Sequence, residues 1–318
     1  MKDLILKYAL QNAVKYEGKA NPGAVIGKIL NEKPELKSKM KDVAKEVSDI
    51  IKDVNKMNVE EQRSRLGDIA PELLIEEKHE KKELQLPELP NAIQGKVVTR
   101  LAPYPSGPLH IGNLKQAIIN DFYAKKYGGK LLLVMDDTIG SEEKALDKDA
   151  YKLIPDGLKL LDVNFDKRII YKSDRLDIYY KYAEEMIQKG SAYVCTCDAE
   201  TLRKNRAEGK ICVHREQNVN KALDEWKKMH TQYKEGQAAL RIKTSMDNPN
   251  PAFRDRVLFR ICERKHARVG NKYKVWPMLD FSWAIDDPLL GITHILRGKD
   301  LMMESDMERF IWDIFGLK

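Results

Sequence analysis

The side chains best suited to chemistry fall into a few short stretches. His110, Gly112 and Asn113 stand together in Leu-His-Ile-Gly-Asn. An imidazole there is a donor that can follow charge moving onto a phosphate. Gly112 lets a nucleotide ring approach the backbone, and Asn113 can cap a helix whose free N–H groups attract an anion. The other reading of the stretch is a proline-rich turn with one polar histidine. Cys195-x-Cys197, then fourteen residues, then Cys212-x-His214 supply three thiolates and one imidazole. Four such ligands fill tetrahedral Zn2+ with no open position, which is the pattern of a structural site. Buried free cysteines are the alternative. Arg297 follows an apolar run, and a guanidinium held at a strand end can pair bidentately with a carboxylate. A salt bridge to Asp136 or Asp287 is the competing use.

The elements that must hold these groups can be read around them. Lys96–Ala102 is short, β-branched and apolar, as a strand is. Pro103, Pro105, Gly107 and Pro108 forbid regular structure after it. A helix capped by Asn113 should run to about Tyr127 and stop at Gly128-Gly129. Leu131–Met135 is a second strand, and Asp136-Asp137 follow it, either turned into a cleft or serving as a turn and helix cap. Strand, loop, helix, strand is one βαβ unit, with its loop at the carboxyl edge of a parallel sheet where such folds bind ligands. Gly291–Gly298 reads as a further strand delivering Arg297 to that edge, and Met302–Phe315 as a helix with Ile311, Ile314 and Phe315 inward.

The longer string Arg100-x-Ala102-Pro-x-Pro-Ser-Gly-x-Leu-His-Ile-Gly resembles the ATP-binding signature of class I aminoacyl-tRNA synthetases, in the glutamyl/glutaminyl branch. Its last position, usually His, is Asn113, as in the archaeal and eukaryotic type of glutamyl enzyme. The resemblance runs from about Lys96 to Lys318. It implies an α/β fold: a Rossmann-type parallel sheet with an inserted α+β domain that binds the tRNA acceptor stem, beside an amino-terminal helical domain. The implied divisions are 1–84 helical, 85–95 linker, 96–190 and 275–318 the two halves of the nucleotide fold, and 191–274 the insertion. It implies ATP with Mg2+, glutamate, and tRNA-Glu as substrates, with tRNA-Gln a second candidate acceptor. ATP would activate the α-carboxylate as an adenylate, and the acyl group would pass to the terminal adenosine of tRNA. His110 and Asn113 become catalytic and, with Gly112, ATP-binding residues. Arg100, Ala102, Asp136, Asp280 and Arg297 become amino-acid-binding, with Asp136 receiving the α-ammonium. Arg297 matches the glutamyl side of the branch, where glutaminyl enzymes use a smaller uncharged residue. Several members carry a Cys-x-Cys…Cys-x-His zinc site in the insertion. Two positions depart from the family: Val134 replaces an arginine, and Leu279 replaces a pocket tyrosine.

Other stretches fill in the outline. Met1 to about Leu84 is helical, with Val43, Val47, Ile50, Ile51 and Val54 on one face. Asn21-Pro22-Gly23 and Asn31–Pro34 divide it. Lys37–Lys41 superficially resembles the family's second ATP motif but lies on a predicted helix in the wrong domain. Glu83–Gln94, with Pro87 and Pro90, reads as a linker. Ser173-Asp174-Arg175 opens a helix, with Arg175 either an RNA contact or a surface arginine. In the insertion Lys221–Met229 is a helix, Ala238–Lys243 a strand and Asn248–Pro251 a turn. Arg254, Arg256, Arg260, Arg264, Lys265 and Arg268 make a basic run suited to phosphates or to a solvated surface. Cys262 has no partner in sequence.

The net charge is +7, compatible with a nucleic-acid partner. Four cysteines in 318 residues are no disulfide framework, and no apolar run spans a bilayer. A cytoplasmic protein without a membrane partner is expected. The family continues to a Lys-Met-Ser-Lys-Ser loop and an anticodon-reading barrel, neither present, so the chain reads as a fragment or half of a split enzyme, with that carboxyl-terminal part as a partner. Besides a glutamate–tRNA ligase, two readings compete: a shorter paralogue that attaches glutamate to a modified tRNA base, and a non-catalytic tRNA-binding relic.

Overall fold

A computed structural model describes residues 1–74, 86–139 and 145–317, with only the backbone of Ser38. The end of the 1–84 segment, the first predicted linker residues (83–85) and Lys318 lie outside the described residues. The chain divides into two compact units, Met1–Leu86 and Pro87–Lys318.

The first unit packs α1 (Lys2–Lys15), α2 (Pro22–Glu32), α3 (Met40–Val54) and α4 (Val59–Ile69). Asn21 caps α2 ahead of Pro22, because proline suits the first helical position, where its missing N–H costs nothing. Val43, Val47, Ile51 and Val54 are buried and Ile50 packs beside them, as the period of 3.6 predicts. Buried Gln62 donates to the carbonyls of Gly18, Val54 and Met57 at 2.9–3.2 Å, satisfying the ends of two loops with one side chain.

In the second unit, β1 (Val98–Leu101) pairs in parallel with β2 (Lys130–Met135), and β2 with β3 (Ile170–Tyr171). The helix α5 (Ile111–Lys126) connects β1 to β2. β1 ends before Pro103, which has no N–H for a ladder. At the start of β2 the backbones close in: a Cβ on Gly129 would stand 1.9 Å from the Val97 carbonyl oxygen. Leu101, Ala117, Leu131, Leu133 and Met135 form a core with Ile154 and Leu158 of α6 (Ala150–Leu160).

The predicted strand at 291–298 is not a strand. Thr293 N–H donates to the Val98 carbonyl at 2.9 Å, but the Thr293 hydroxyl accepts the Val98 N–H at 2.9 Å. A side chain thus takes a backbone place, and the ladder stops. Further along, the Gln116 amide on α5, oriented to satisfy both neighbours, donates to Leu296 O at 3.0 Å and accepts from Gly298 N at 3.1 Å. Side chains hold this segment where ladder bonds would otherwise do so.

The chain between holds an antiparallel sheet in the order β4 (Ala192–Cys195), β5 (Ala239–Ile242), β6 (Val257–Ile261), β7 (Val275–Pro277). Val275–Pro277, expected to return the chain to the parallel sheet, pairs instead with β6. Its core includes Tyr179 and Met186 of α7 (Leu176–Gln188), Trp226 of α9 (Val219–Thr231), Phe281 and Ile285 of α10 (Leu279–Leu289), and Ile311 of α11 (Met302–Phe315). A short helix, α8 (Ala199–Glu208), follows β4. The described part of the predicted linker is also not free. Tyr123 donates to Pro87 O at 2.6 Å, and Leu89 N–H donates to the Tyr127 hydroxyl at 3.1 Å, so this segment lies against α5.

Candidate active site and candidate metal centre

The residue that caps α5 is His110, not Asn113. His110 Nδ1 accepts the Gly112 N–H at 3.1 Å, and Asn113 Oδ1 accepts the His110 N–H at 3.2 Å. The two side chains exchange roles as a capping box does, satisfying donors that a helix start otherwise leaves open. With Nδ1 an acceptor, the ring proton belongs on Nε2, as a donor. A Cβ on Gly112 would lie 2.8 Å from His110 Cε1, so glycine there first of all makes room for the imidazole. His110 is exposed, as a group that meets a ligand must be.

Near the ends of β1 and β2 lies a buried cluster of charges. Arg100 on β1 makes a two-pronged pair with Asp287 on α10, its Nη2 to Oδ2 at 2.8 Å. Lys172 Nζ meets Asp136 at 3.1 Å and Ser282 Oγ at 2.8 Å. Arg297 is bidentate with Glu308 on α11, at 2.7 and 2.6 Å. Arg175 meets Asp286 at 2.8 Å, and Tyr179 donates to the same carboxylate at 2.6 Å. Burial lowers the Lys172 pKa, opposed by Asp136 and Asp286. Burial likewise raises the Asp286 and Glu308 carboxyls, opposed by their cationic partners. Charges this deep persist because each has an opposite partner at hydrogen-bond distance.

The sequence-predicted amino-acid residues therefore separate. Arg100, Asp136 and Arg297 come to this cluster, while Ala102 is half-buried just past β1. Asp280 goes elsewhere: Arg256 spans its carboxylate, and Arg256 also reaches Glu304 at 3.1 Å. Burial raises the Asp280 pKa against the pull of Arg256. Its carboxylate thus has a partner inside the fold, as Asp136 has in Lys172 and Arg297 has in Glu308. The partner of Arg297 is likewise Glu308, neither Asp136 nor Asp287. Asp137 is structural, accepting from Ser173 N–H and Oγ at 2.8 and 2.7 Å.

Lys172 and Glu308 complete this cluster and are not legible from residue type. Lysine and glutamate are seldom buried, so their types point outward unless the partner is known. The available signal was α10 itself, where Asp280, Asp286 and Asp287 sit in an apolar helix that is buried throughout from Asp280 to Asp287. Such carboxylates demand cations.

The basic run is largely spoken for. Arg254 donates to Asn248 O at 2.7 Å and Arg206 O at 2.8 Å. Arg256 holds Asp280, Arg264 donates to Cys262 Sγ at 3.3 Å, and Arg268 pairs with Asp174 at 3.0 Å. Arg260 and Lys265 are exposed. Arg175, paired with Asp286, has an internal role where a surface role was the expectation.

The second cluster is local. Cys195, Cys197, Cys212 and His214 present ligand atoms all within 4.8 Å of one another. Cys212 Sγ is 3.5 Å from each of the other two sulfurs, and His214 Nδ1 lies 3.2–3.9 Å from the three. A tetrahedron with Zn–S bonds of about 2.3 Å has edges of about 3.8 Å, so the donors fit one ion. His214 Nε2 faces Thr196 Oγ1 at 2.9 Å, which reserves Nδ1 for a metal, as a ligand's outer hydrogen bond does. Without a cation, burial and the neighbouring thiols push Cys197 up to about 12. Cys262 is apart, in the core of the antiparallel sheet.

Comparison with known proteins gives this geometry a context. A family model for the catalytic domain of class I tRNA synthetases (E and Q) matches residues 96–318. A glutamate–tRNA ligase of Pyrococcus furiosus is 49% identical over 319 residues, covering 98% of this chain and 55% of that protein. One from Methanothermobacter marburgensis is 45% identical over 316 residues, covering 99% and 56%. The chain thus spans about half the length of the curated relatives it matches. Among solved structures, a glutamate tRNA ligase from Elizabethkingia meningosepticum, in complex with its amino acid, superposes with a TM-score of 0.51 at 21% identity, over 70% of this chain and 48% of that one. That likeness extends to the fold.

Proposed function

Since the chain belongs to the class I tRNA synthetases of the glutamate and glutamine branch, we propose that it carries the amino-acid-activating part of a glutamate–tRNA ligase. Its substrates are then ATP with Mg2+, glutamate, and tRNA-Glu, with tRNA-Gln an acceptor to be assayed beside it. The α-carboxylate of glutamate attacks the α-phosphate of ATP, pyrophosphate leaves, and a mixed anhydride remains. The acyl group then passes to the terminal ribose of tRNA. His110 Nε2–H, at the positive end of α5, is the donor for charge on the α-phosphate. Asp136 is the candidate partner for the α-ammonium.

The observation that carries the substrate is the Arg297–Glu308 pair. A carboxylate on a short alkyl stem already sits bidentate on Arg297 at 2.6 and 2.7 Å. A substrate γ-carboxylate has the same chemistry and can exchange with it. The amide of glutamine brings N–H groups to a guanidinium that has no acceptor, and so leaves charge unpaired. The shorter paralogue is not favoured, because the likeness to glutamate–tRNA ligases covers 98% of the chain, including its helical first unit. We assign structural Zn2+ to Cys195, Cys197, Cys212 and His214, and acceptor-stem contacts to the antiparallel-sheet region, where Arg260 and Lys265 are exposed. Among the described residues no helix is long and apolar enough to cross a membrane. The four cysteines are free, which suits a reducing cytoplasm.

The test is ATP–pyrophosphate exchange with glutamate and with glutamine, tRNA present, supported by calorimetric ATP binding where turnover is slow. His110→Ala should lower exchange about 100-fold, or about 3 kcal/mol for one transition-state donor, with an unchanged circular dichroism spectrum. A preference for glutamine, or full activity in His110→Ala, refutes the assignment.

A further inference from the structure

Trp283 is where the amino-acid cluster meets. Its ring centroid lies 4.7 Å from the Arg100 guanidinium, 5.0 Å from Lys172 Nζ and 5.2 Å from the Arg297 guanidinium. All three are within the range at which an aromatic face attracts a cation. They arrive from β1, from the short turn after β3, and from the segment before α11, so no local structure brings them together. Each is paired with its own carboxylate: Asp287, Asp136 and Glu308. The indole is only 7% exposed, and its Nε1–H is buried with no hydrogen-bond partner.

That orphan donor is informative. Burying an N–H without an acceptor costs stability that a phenylalanine, a ring without a donor, would not incur. What the indole offers in return is the ring face that attracts cations most strongly. Arginine and lysine side chains have many rotamers, and a bidentate carboxylate fixes the guanidinium plane only until a substrate carboxylate displaces it. A ring shared by all three cations limits that freedom, so that they meet an incoming carboxylate already aligned.

We propose that Trp283 is a positioning residue of the amino-acid subsite, whose ring aligns Arg100 and Arg297 so that a side-chain carboxylate is preferred over an amide. This rests on the reading of the chain as a glutamate-activating enzyme. It acts through the two arginines and does not require Trp283 to touch the reacting atoms.

The experiment uses the full chain with tRNA-Glu and a non-hydrolysable ATP analogue, and measures L-glutamate, L-glutamine and nucleotide affinities by calorimetry. Trp283→Leu should weaken glutamate binding at least tenfold and erase most of the preference over glutamine, with nucleotide affinity unchanged. Trp283→Phe restores a ring face and should retain the preference with a loss of a few-fold. A merely structural role would lower both ligands' affinities together and leave their ratio unmoved. An unchanged glutamate-to-glutamine ratio in Trp283→Leu overturns the inference, as does a Phe variant as indiscriminate as the Leu variant. If Trp283→Leu does not fold, Trp283→Met takes its place, and an unchanged glutamate-to-glutamine ratio in that variant overturns the inference. A wild type that binds no glutamate removes the substrate reading itself, a different failure from wild-type binding with an unmoved ratio.

Discussion

Two clusters of reactive side chains in this protein are built on opposite plans. The Cys195–His214 cluster takes its four groups from twenty consecutive residues (195–214), and its sulfurs meet one cationic side chain among the described residues, Arg241, whose Nη1 is 3.7 Å from Cys195 Sγ. The cluster around Trp283 gathers Arg100, Lys172 and Arg297 from across the chain, and every cation there closes on an internal carboxylate. The first gathers four donors that would fit one cation supplied from outside. The second is paired within itself, and on the proposed reading a substrate carboxylate enters by exchange with a partner already in place. A site short of charge depends on its ligand to hold its shape.

Removing the expected metal is the strongest way to sharpen that contrast. Structural zinc supplies about 10–16 kcal/mol in small zinc-finger peptides. Purified protein should hold near one equivalent of zinc, lost on chelation or in Cys197→Ser. The segment 195–214 should then become sensitive to protease while the parallel sheet keeps its protection. Metal analysis of well-folded protein that finds none would break the contrast.

The complementary change cuts one internal pair in the other cluster. Asp287→Ala strands the Arg100 guanidinium in a buried site, and losing one partner of such a pair costs about 3–5 kcal/mol. Urea unfolding should show the loss. The double change Arg100→Met with Asp287→Leu should recover much of it, because neither charge is then left unpaired. A single variant as stable as the wild type would mean that solvent reaches the cluster.

His230 belongs to neither cluster and gives the smallest effect. Its ring stands edge-on to Tyr180 and Trp226, each with centroids 4.7 Å apart. Burial, with a smaller contribution from Lys274, lowers its pKa from 6.5 to about 4. Between those values the unfolded chain binds a proton that the folded protein refuses, so stability declines as pH drops from about 6.5 to about 4. The full linkage is about 3 kcal/mol. The raised Asp286 and Glu308 carboxyls act with the opposite sign in acid, so the quantity to measure is the difference between wild type and His230→Phe. The variant should lose this part of the acid sensitivity. Identical pH profiles would show that His230 is hydrated in the fold.

The ways in which the sequence misled are as physical as the ways in which it served. Met302–Phe315 reads as a helix from its own periodicity and is one. Residues 291–298 read equally well as a strand, and are not, because Thr293 and Gln116 side chains take places that backbone groups would fill. Val275–Pro277 is a strand, but its own residues do not say which sheet it joins. Pro87 and Pro90 suggest a loose linker, yet Tyr123 and Tyr127 of a helix some forty residues on bind that segment down.

What the sequence determined by itself is local: the stops of helices, the apolar face of α3, the presence of a helix start at His110–Asn113, and a four-ligand set on one short stretch of chain. These depend on neighbours within a turn or two, or within one short loop, so residue type and spacing suffice. What only the tertiary structure decided is pairing. That Arg297 holds Glu308, that Asp280 pairs with Arg256, and that three cations lie over the ring of Trp283 follow from buried charges seeking whichever opposite charge or aromatic face the folded chain brings within reach. A carboxylate in an apolar helix announces that it needs a cation; which cation answers is settled when the sheets and helices pack.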